Sequence, residues 1–186
     1  MGITADRSCE RNDRATTSRI WYCYDEFQTT FNNYRQIRFP RKLGDMTHMS
    51  DTVFDDSEST LLILDDLMSE TNQLVANVFS KISHYCNVSV AYLTQNLFDK
   101  NNYARTISLN AHYLVLFKNP RDATQFATLE RQMYPNSSKF AIEAYKDATS
   151  VPCGYLLIDL KLDQDERCRL RTNVFSRETQ FAYVRK

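Results

Sequence analysis

The sequence predicts an α/β fold with a largely parallel sheet, and three observations carry that prediction. Continuous short apolar runs at Leu61-Leu62-Ile63-Leu64, at residues 88–94 and at residues 113–117 read as strands buried on both faces. Between the first two, Leu74, Val75, Val78, Phe79 and Ile82 fall on one face of a helix. A strand, a helix and a strand of these lengths make a parallel pair with a right-handed crossover. The three apolar runs are therefore expected side by side, as parallel strands of one sheet.

Composition narrows the class further. A chain of 186 residues is long enough for one domain with a sizeable core. The apolar and charged fractions, 42% and 25%, are those of an ordinary globular chain rather than a disordered or fibrous one. The 23 basic and 23 acidic residues cancel, so net charge alone points to no polyanion partner. The distribution is uneven: residues 44–99 are rich in Asp and Glu, and the carboxyl third gathers Arg and Lys. No apolar run is long enough to span a bilayer, and residues 1–19 are polar with no signal-peptide core. Five cysteines, an odd count without a Cys-x-x-Cys pair, suggest a reduced intracellular protein, not a secreted one, without a zinc site. Nucleus and cytoplasm are equally compatible.

Taken in order, residues 1–19 have no apolar period and form a leader unlike the rest of the chain. Ile20-Trp21-Tyr22-Cys23-Tyr24 is a strand, closed by Asp25-Glu26. Phe27, Phe31 and Tyr34 suit a short helix that ends at Phe39-Pro40. Residues 41–60 are a polar, acidic surface loop. After the central strand, Ser69 and Glu70 start the crossover helix, which stops near Tyr85-Cys86-Asn87. The strand at 88–94 ends at Gln95-Asn96. Residues 108–112 lead into the strand at 113–117, and Asn119-Pro120 starts a helix with Phe126, Leu129 and Met133 inward. Tyr134-Pro135 breaks it. Ser137 or Ser138 begins another helix, with Phe140, Ala141, Ala144 and Tyr145 on its buried side. Pro152 and Gly154 precede a strand at 155–160. Arg167, Arg169 and Arg171 then alternate with Cys168 and Leu170, as in a solvated strand face or a phosphate-contacting edge. Phe181-Ala182-Tyr183-Val184 is a last short strand.

The chemistry concentrates at strand ends. Asp65 and Asp66 follow the central strand, where open α/β sheets place their ligands. Neither ionises cheaply in a dry core, so water and a cation suit them, as does a plain solvated turn. Gln95 ends the next strand. Its amide can donate to a phosphate oxygen and accept from a water at once, or simply cap loose backbone. His48, His84 and His112 are scattered and suggest no metal cluster. Lys81 and His84 share a helix face that looks to DNA or to water. Asp55 and Asp56, joined to Asp65 and Asp66, would sketch a two-metal nuclease site, but they fall in a loop with no pattern to fix them.

Several motifs in a fixed order carry a resemblance. They are Ile20-Trp21-Tyr22-Cys23-Tyr24, the run Leu62-Ile63-Leu64-Asp65-Asp66-Leu67-Met68, and Thr94-Gln95-Asn96-Leu97-Phe98 at the end of its strand. Asn110-Ala111-His112-Tyr113 through Asn119-Pro120-Arg121-Asp122 is the most specific part, and Gly154 to Leu160 and Leu170 to Val174 close the set. Residues 20–186 resemble the virion-packaging ATPases of the FtsK–HerA type, carried by large DNA viruses including poxviruses and by Polinton or adintovirus-like elements integrated in animal genomes. The resemblance implies a RecA-like P-loop NTPase core, hydrolysis of ATP with Mg²⁺, a homo-oligomeric ring and translocation of duplex DNA into a capsid, with viral capsid proteins as further partners and no membrane. It makes the central strand a Walker B strand, with Asp65 as Mg²⁺ ligand, Asp66 as the water-polarising carboxylate and Gln95 as sensor of the γ-phosphate. Arg105, Arg121 and Arg171 become candidates for a finger that reaches a neighbouring subunit's nucleotide.

One departure from the family is severe. Its glycine-rich loop, Gly-x-x-x-x-Gly-Lys-Ser/Thr, precedes the strand at Ile20, and nothing here fits it, since the three glycines are Gly2, Gly44 and Gly154. Without that nest of amides and its lysine, the β- and γ-phosphates lose most of their grip. The expectation is a domain at 20–186 lacking the first strand, phosphate loop and helix, and inactive as this chain. The other expectation is a non-catalytic relic or protein-interaction module derived from an integrated viral element.

Overall fold

The structure, a computed structural model of the chain, describes residues 2–4, 17–24, 29, 31, 37–38, 58–65, 73–83, 86–97, 102–121, 123–134, 138–174 and 179–185. The strands are β1 (Gly2–Thr4), β2 (Arg19–Tyr24), β3 (Ile37–Arg38), β4 (Thr60–Asp65), β5 (Val88–Leu93), β6 (Tyr113–Phe117), β7 (Tyr155–Asp159), β8 (Leu170–Thr172) and β9 (Phe181–Val184). The α-helices are α1 (Gln73–Asn77), α2 (Asn102–Asn110), α3 (Ala123–Met133) and α4 (Ser138–Ala148). The chain divides into two compact units, one of Asp13–Asn110 and one of Met1–Asn12 with Ala111–Lys186.

The first unit carries a parallel sheet in the order β3-β2-β4-β5. One face of it is the core: Trp21, Cys23, Leu62, Leu64 and Val88 bury against Val75, Val78 and Phe79 and against Ile107 of α2. The helical face expected from Val75, Val78 and Phe79 is therefore present, with α1 continuing as a π-helix over Val78–Ile82. Ser80 and Ser83 donate their hydroxyls to the carbonyls of Ala76 and Phe79, each at 2.8 Å, which satisfies groups in the changed ladder. The opposite face of the sheet is less covered. Leu61 and Ile63 are half-buried, while Ser89 and Leu93 are exposed. The central strand is thus fully buried on one side, not on two. The predicted start of the crossover helix at Ser69 and most of the helix predicted from Phe27 lie outside the described residues.

Helix α2 escapes the sequence pattern because only Tyr103 and Ile107 keep an apolar spacing, among Asn, Thr and Ser of modest helix propensity. Ile107 nonetheless buries to 5% exposure, and the Asn110 side chain donates to the Thr106 carbonyl at 2.8 Å to close the last turn.

The second unit carries an antiparallel sheet in the order β1-β9-β8-β7-β6. Here the expectation that residues 113–117 lie beside the other two runs in one parallel sheet is overturned: β6 belongs to this second sheet and pairs antiparallel with β7, from Tyr113↔Asp159 to Phe117↔Tyr155. The direction of β7 against β6 follows from the number of helices between them. One helix returns the chain for a parallel strand, whereas two antiparallel helices bring it back to the far end and reverse the next strand. The helices α3 and α4 pair in that sense, since Phe126 stacks on Tyr145 at 4.4 Å and Tyr134 meets Phe140 at 6.3 Å. Strand β6 is also not buried on both faces. Leu114 points into the core, while Tyr113, Val115 and Phe117 are 42%, 38% and 60% exposed along an edge strand.

The arginine alternation is neither a solvated face nor a bare phosphate edge. Exposed Arg167 pairs with Asp165, Arg169 pairs with Glu166 and donates to the Asp159 carbonyl at 2.7 Å, and Arg171 is buried against Asp159. Cys168 is disulfide-bonded, contrary to the expectation of a reduced protein, whereas Cys23, Cys86 and Cys153 stand outside any disulfide. Among the described residues, no helix is long and apolar enough to cross a membrane.

Candidate functional site

The parallel register settles where Asp65 sits. Strand β4 runs Thr60↔Val88 to Asp65↔Leu93 against β5 and Arg19↔Thr60 to Tyr24↔Asp65 against β2. Asp65 therefore ends the central strand at the carboxyl edge of the sheet, with the last residues of both neighbours alongside. Gln95 comes two residues after Leu93 and leaves by the same edge. Thr94 sets that exit: its hydroxyl donates to the Asn96 carbonyl and accepts from the Asn96 amide, both at 3.2 Å, in a local turn that replaces the ladder. Gln95, at the bend, is exposed. Asp66 lies outside the described residues, as do Asp55, Asp56, His48 and His84.

Asp65 is half-buried and takes a hydrogen bond that sequence reasoning missed. The Tyr22 hydroxyl donates to its Oδ2 at 2.6 Å. Burial, then the bond to Asp65 and the charge of that carboxylate push the Tyr22 phenol up to about 12. The phenol therefore stays protonated at neutral pH and is a standing donor. The signal was present in the sequence, for Tyr22 and Tyr24 both flank the acidic strand. The register sets Tyr24 beside Asp65, and it is the Tyr22 hydroxyl, reaching along the strand on the same face, that bonds the carboxylate.

Of the three arginine candidates, Arg105 belongs to the unit that carries Asp65, and Arg121 and Arg171 belong to the other. Arg105 is exposed on α2 and Arg121 is exposed in the turn before α3, where its amide donates to the Asn119 side chain at 3.1 Å. Arg171 is 7% exposed and donates Nη2 to Asp159 Oδ2 at 2.7 Å. A guanidinium reaching another subunit has to be accessible, which Arg105 and Arg121 are. The Asn119-Pro120-Arg121 run has its own fixing: the Tyr145 hydroxyl donates to the Phe117 carbonyl at 2.9 Å and accepts from the Asn119 amide at 3.2 Å.

Among the described residues, no group of three or more His, Cys, Asp or Glu side chains gathers to cage a metal ion. A single strand-end carboxylate suits Mg²⁺ nonetheless, because that ion keeps several waters and is held by one or two carboxylates together with substrate phosphates. As a single half-buried strand-end carboxylate, Asp65 would suit a largely hydrated divalent cation. A cleft of about 460 Å³, lined by Ser18, Arg19, Ile20, Trp21, Arg38 and Glu58, opens at the other end of the sheet. Arg19 pairs there with Glu58, and Arg38 lies 5.4 Å over the Trp21 ring. It is at the amino-terminal ends of β2 and β4, away from Asp65, and open α/β sheets seldom bind ligands there.

No protein-family model, curated protein or solved structure matches the chain.

Proposed function

We propose that this chain corresponds to the part of a viral or virus-derived DNA-packaging motor ATPase of the FtsK–HerA type that follows its phosphate-binding loop. The observation that supports this most is the β2-β4-β5 register, which lines up Asp65 with the strand end that releases Gln95. In this reading, Asp65 is a hard anionic ligand for Mg²⁺. Mg²⁺ held there would supply positive charge to offset the charge that develops on phosphate oxygens. Asp66 orients and polarises a water, and Gln95 spans that water and the γ-phosphate with its acceptor and donor ends. Arg105 and Arg121 are the accessible candidates for contact with a neighbour in a ring. Duplex DNA is the load.

The phosphate-binding half of such a site is not in the 186 residues, which hold no Gly-x-x-x-x-Gly-Lys-Ser/Thr. A second reading is a non-catalytic relic or interaction module. A graft separates the two. The chain as it stands is expected to bind Mg²⁺-ATP weakly or not at all by titration calorimetry, and micromolar affinity, about −8 kcal/mol, would contradict that. With a strand, phosphate loop and helix placed before Ile20, DNA-stimulated hydrolysis is expected. A folded graft that binds ATP and never turns it over would leave the relic.

A further inference from the structure

Asp65 is the one described carboxylate of the proposed cation site, and a neighbouring strand governs how it is presented. Tyr22 stands two residues before Tyr24, the register partner of Asp65, so strand alternation puts all three on one face of the sheet. From there its hydroxyl donates to Asp65 Oδ2 at 2.6 Å, the length of a strong hydrogen bond to a charged acceptor. The ring is held as well, with its centroid 5.3 Å from that of Phe31, which also packs 5.0 Å from Tyr24. The donor is thus fixed at both ends of the side chain.

The choice of a phenol matters chemically. An arginine or lysine in its place would lend the carboxylate a positive charge and compete with a cation. A phenol supplies one proton and no charge, so the anion keeps its full attraction for a metal. The bond occupies Oδ2 and leaves Oδ1 outside it. We infer that Tyr22 is the positioning residue of this site, holding the Asp65 carboxylate in one orientation so that a divalent cation is taken through Oδ1. The inference rests on the reading of Asp65 as a metal ligand, and its test separates the two.

The probe is Mn²⁺ added to the full chain, with free Mn²⁺ followed by electron paramagnetic resonance at a temperature well below each variant's unfolding. Asp65→Asn is expected to abolish the strongest site. Tyr22→Phe keeps the ring and its contact with Phe31 but removes the proton, and it should weaken that site about tenfold, the low end for loss of a group that orients a metal ligand. A second measurement does not depend on the Tyr22→Phe protein: ring ¹³C resonances of labelled tyrosine, where Mn²⁺ should broaden the Tyr22 signal in the wild type and not in Asp65→Asn. If Asp65→Asn binds Mn²⁺ as the wild type does and Tyr22 is not broadened, Asp65 is no metal ligand and both the reading and the inference fall. If Asp65→Asn loses the site while Tyr22→Phe keeps wild-type affinity, the metal reading stands and the positioning role is overturned.

Discussion

Asp159 and Arg171 show what a single residue can and cannot announce. Their side chains are 1% and 8% exposed, and both charges are out of water at a separation of 2.7 Å. The Lys161 amide also donates to Asp159 Oδ1 at 3.2 Å, so the carboxylate has a donor on each oxygen. In the sequence, Arg171 is one arginine of an alternating set, and nothing marks it as the buried member. Its partner lies twelve residues earlier and on another strand, which only the antiparallel register brings alongside. Arg171→Ala should cost about 3–5 kcal/mol in urea unfolding, because it strands a buried carboxylate. Replacing both residues with apolar ones, Asp159→Leu with Arg171→Met, should recover most of that loss; a double variant as unstable as the single one would show that the pair does more than cancel its own charges. Asp165 gives a pH test nearby. The Arg167 side chain, then its amide, hold the Asp165 carboxyl at about 2, below its ordinary 3.8. A lowered carboxyl stabilises the turn above its ordinary value and loses that contribution as pH falls through about 2. The Arg167 amide proton, followed by NMR on acidification, should shift with a midpoint near 2, and a midpoint near 3.8 would deny the bond.

Whole elements were more legible than their directions. The helices α3 and α4 and strand β7 follow from apolar spacing and from Tyr134-Pro135, although α3 begins at Ala123, after a turn at Pro120 and Arg121, rather than at Pro120. Helix α2 was hidden by weak propensities. The direction of β6 escapes any count of strands and helices that gives each connection a single helix. The turn from α4 to β7 shows the same limit at its smallest. Pro152 and Gly154 mark a turn, yet the special backbone belongs to Cys153, which has a φ of 58°. Gly154 is needed for space instead: a Cβ there would lie 2.4 Å from the Ala148 carbonyl oxygen, a backbone atom that cannot swing aside. Gly154→Ala should therefore destabilise by about 2 kcal/mol. Cys153→Gly should do the opposite and add about 1 kcal/mol, by removing a side chain from the left-handed region. Thermal unfolding of the two variants checks the pair, and equal effects of the same sign would mean that the turn adapts to either residue.

At the scale of the molecule, the parallel sheet holds an acidic strand end and an amide-bearing turn at one edge, and the sequence holds no Gly-x-x-x-x-Gly-Lys-Ser/Thr motif. The placing of Asp65 and Gln95 was readable because parallel strands joined by one helix must share an edge. Tyr22 was not, since a contact between strands depends on register. On the proposed reading, what each group does is decided by substitutions in a chain that carries an added strand, phosphate loop and helix before Ile20. Asp66→Asn keeps the shape of the side chain and removes the charge that orients the attacking water, an interaction realised mainly in the transition state. It should cut turnover far more than it weakens ATP binding, by about two orders of magnitude or more, the usual worth of a positioned base. Asp65→Asn removes a hard anionic ligand and should instead raise the Mg²⁺ concentration needed for nucleotide binding. Gln95→Ala should resemble Asp66→Asn, because the proposed reading gives the amide to the water and the γ-phosphate rather than to the metal. Steady-state kinetics with a Mg²⁺ titration separate the three. If Asp66→Asn kept near-normal turnover, the acidic pair would be an ordinary solvated strand end, and the roles given to Asp65 and Gln95 beside it would lose their reason.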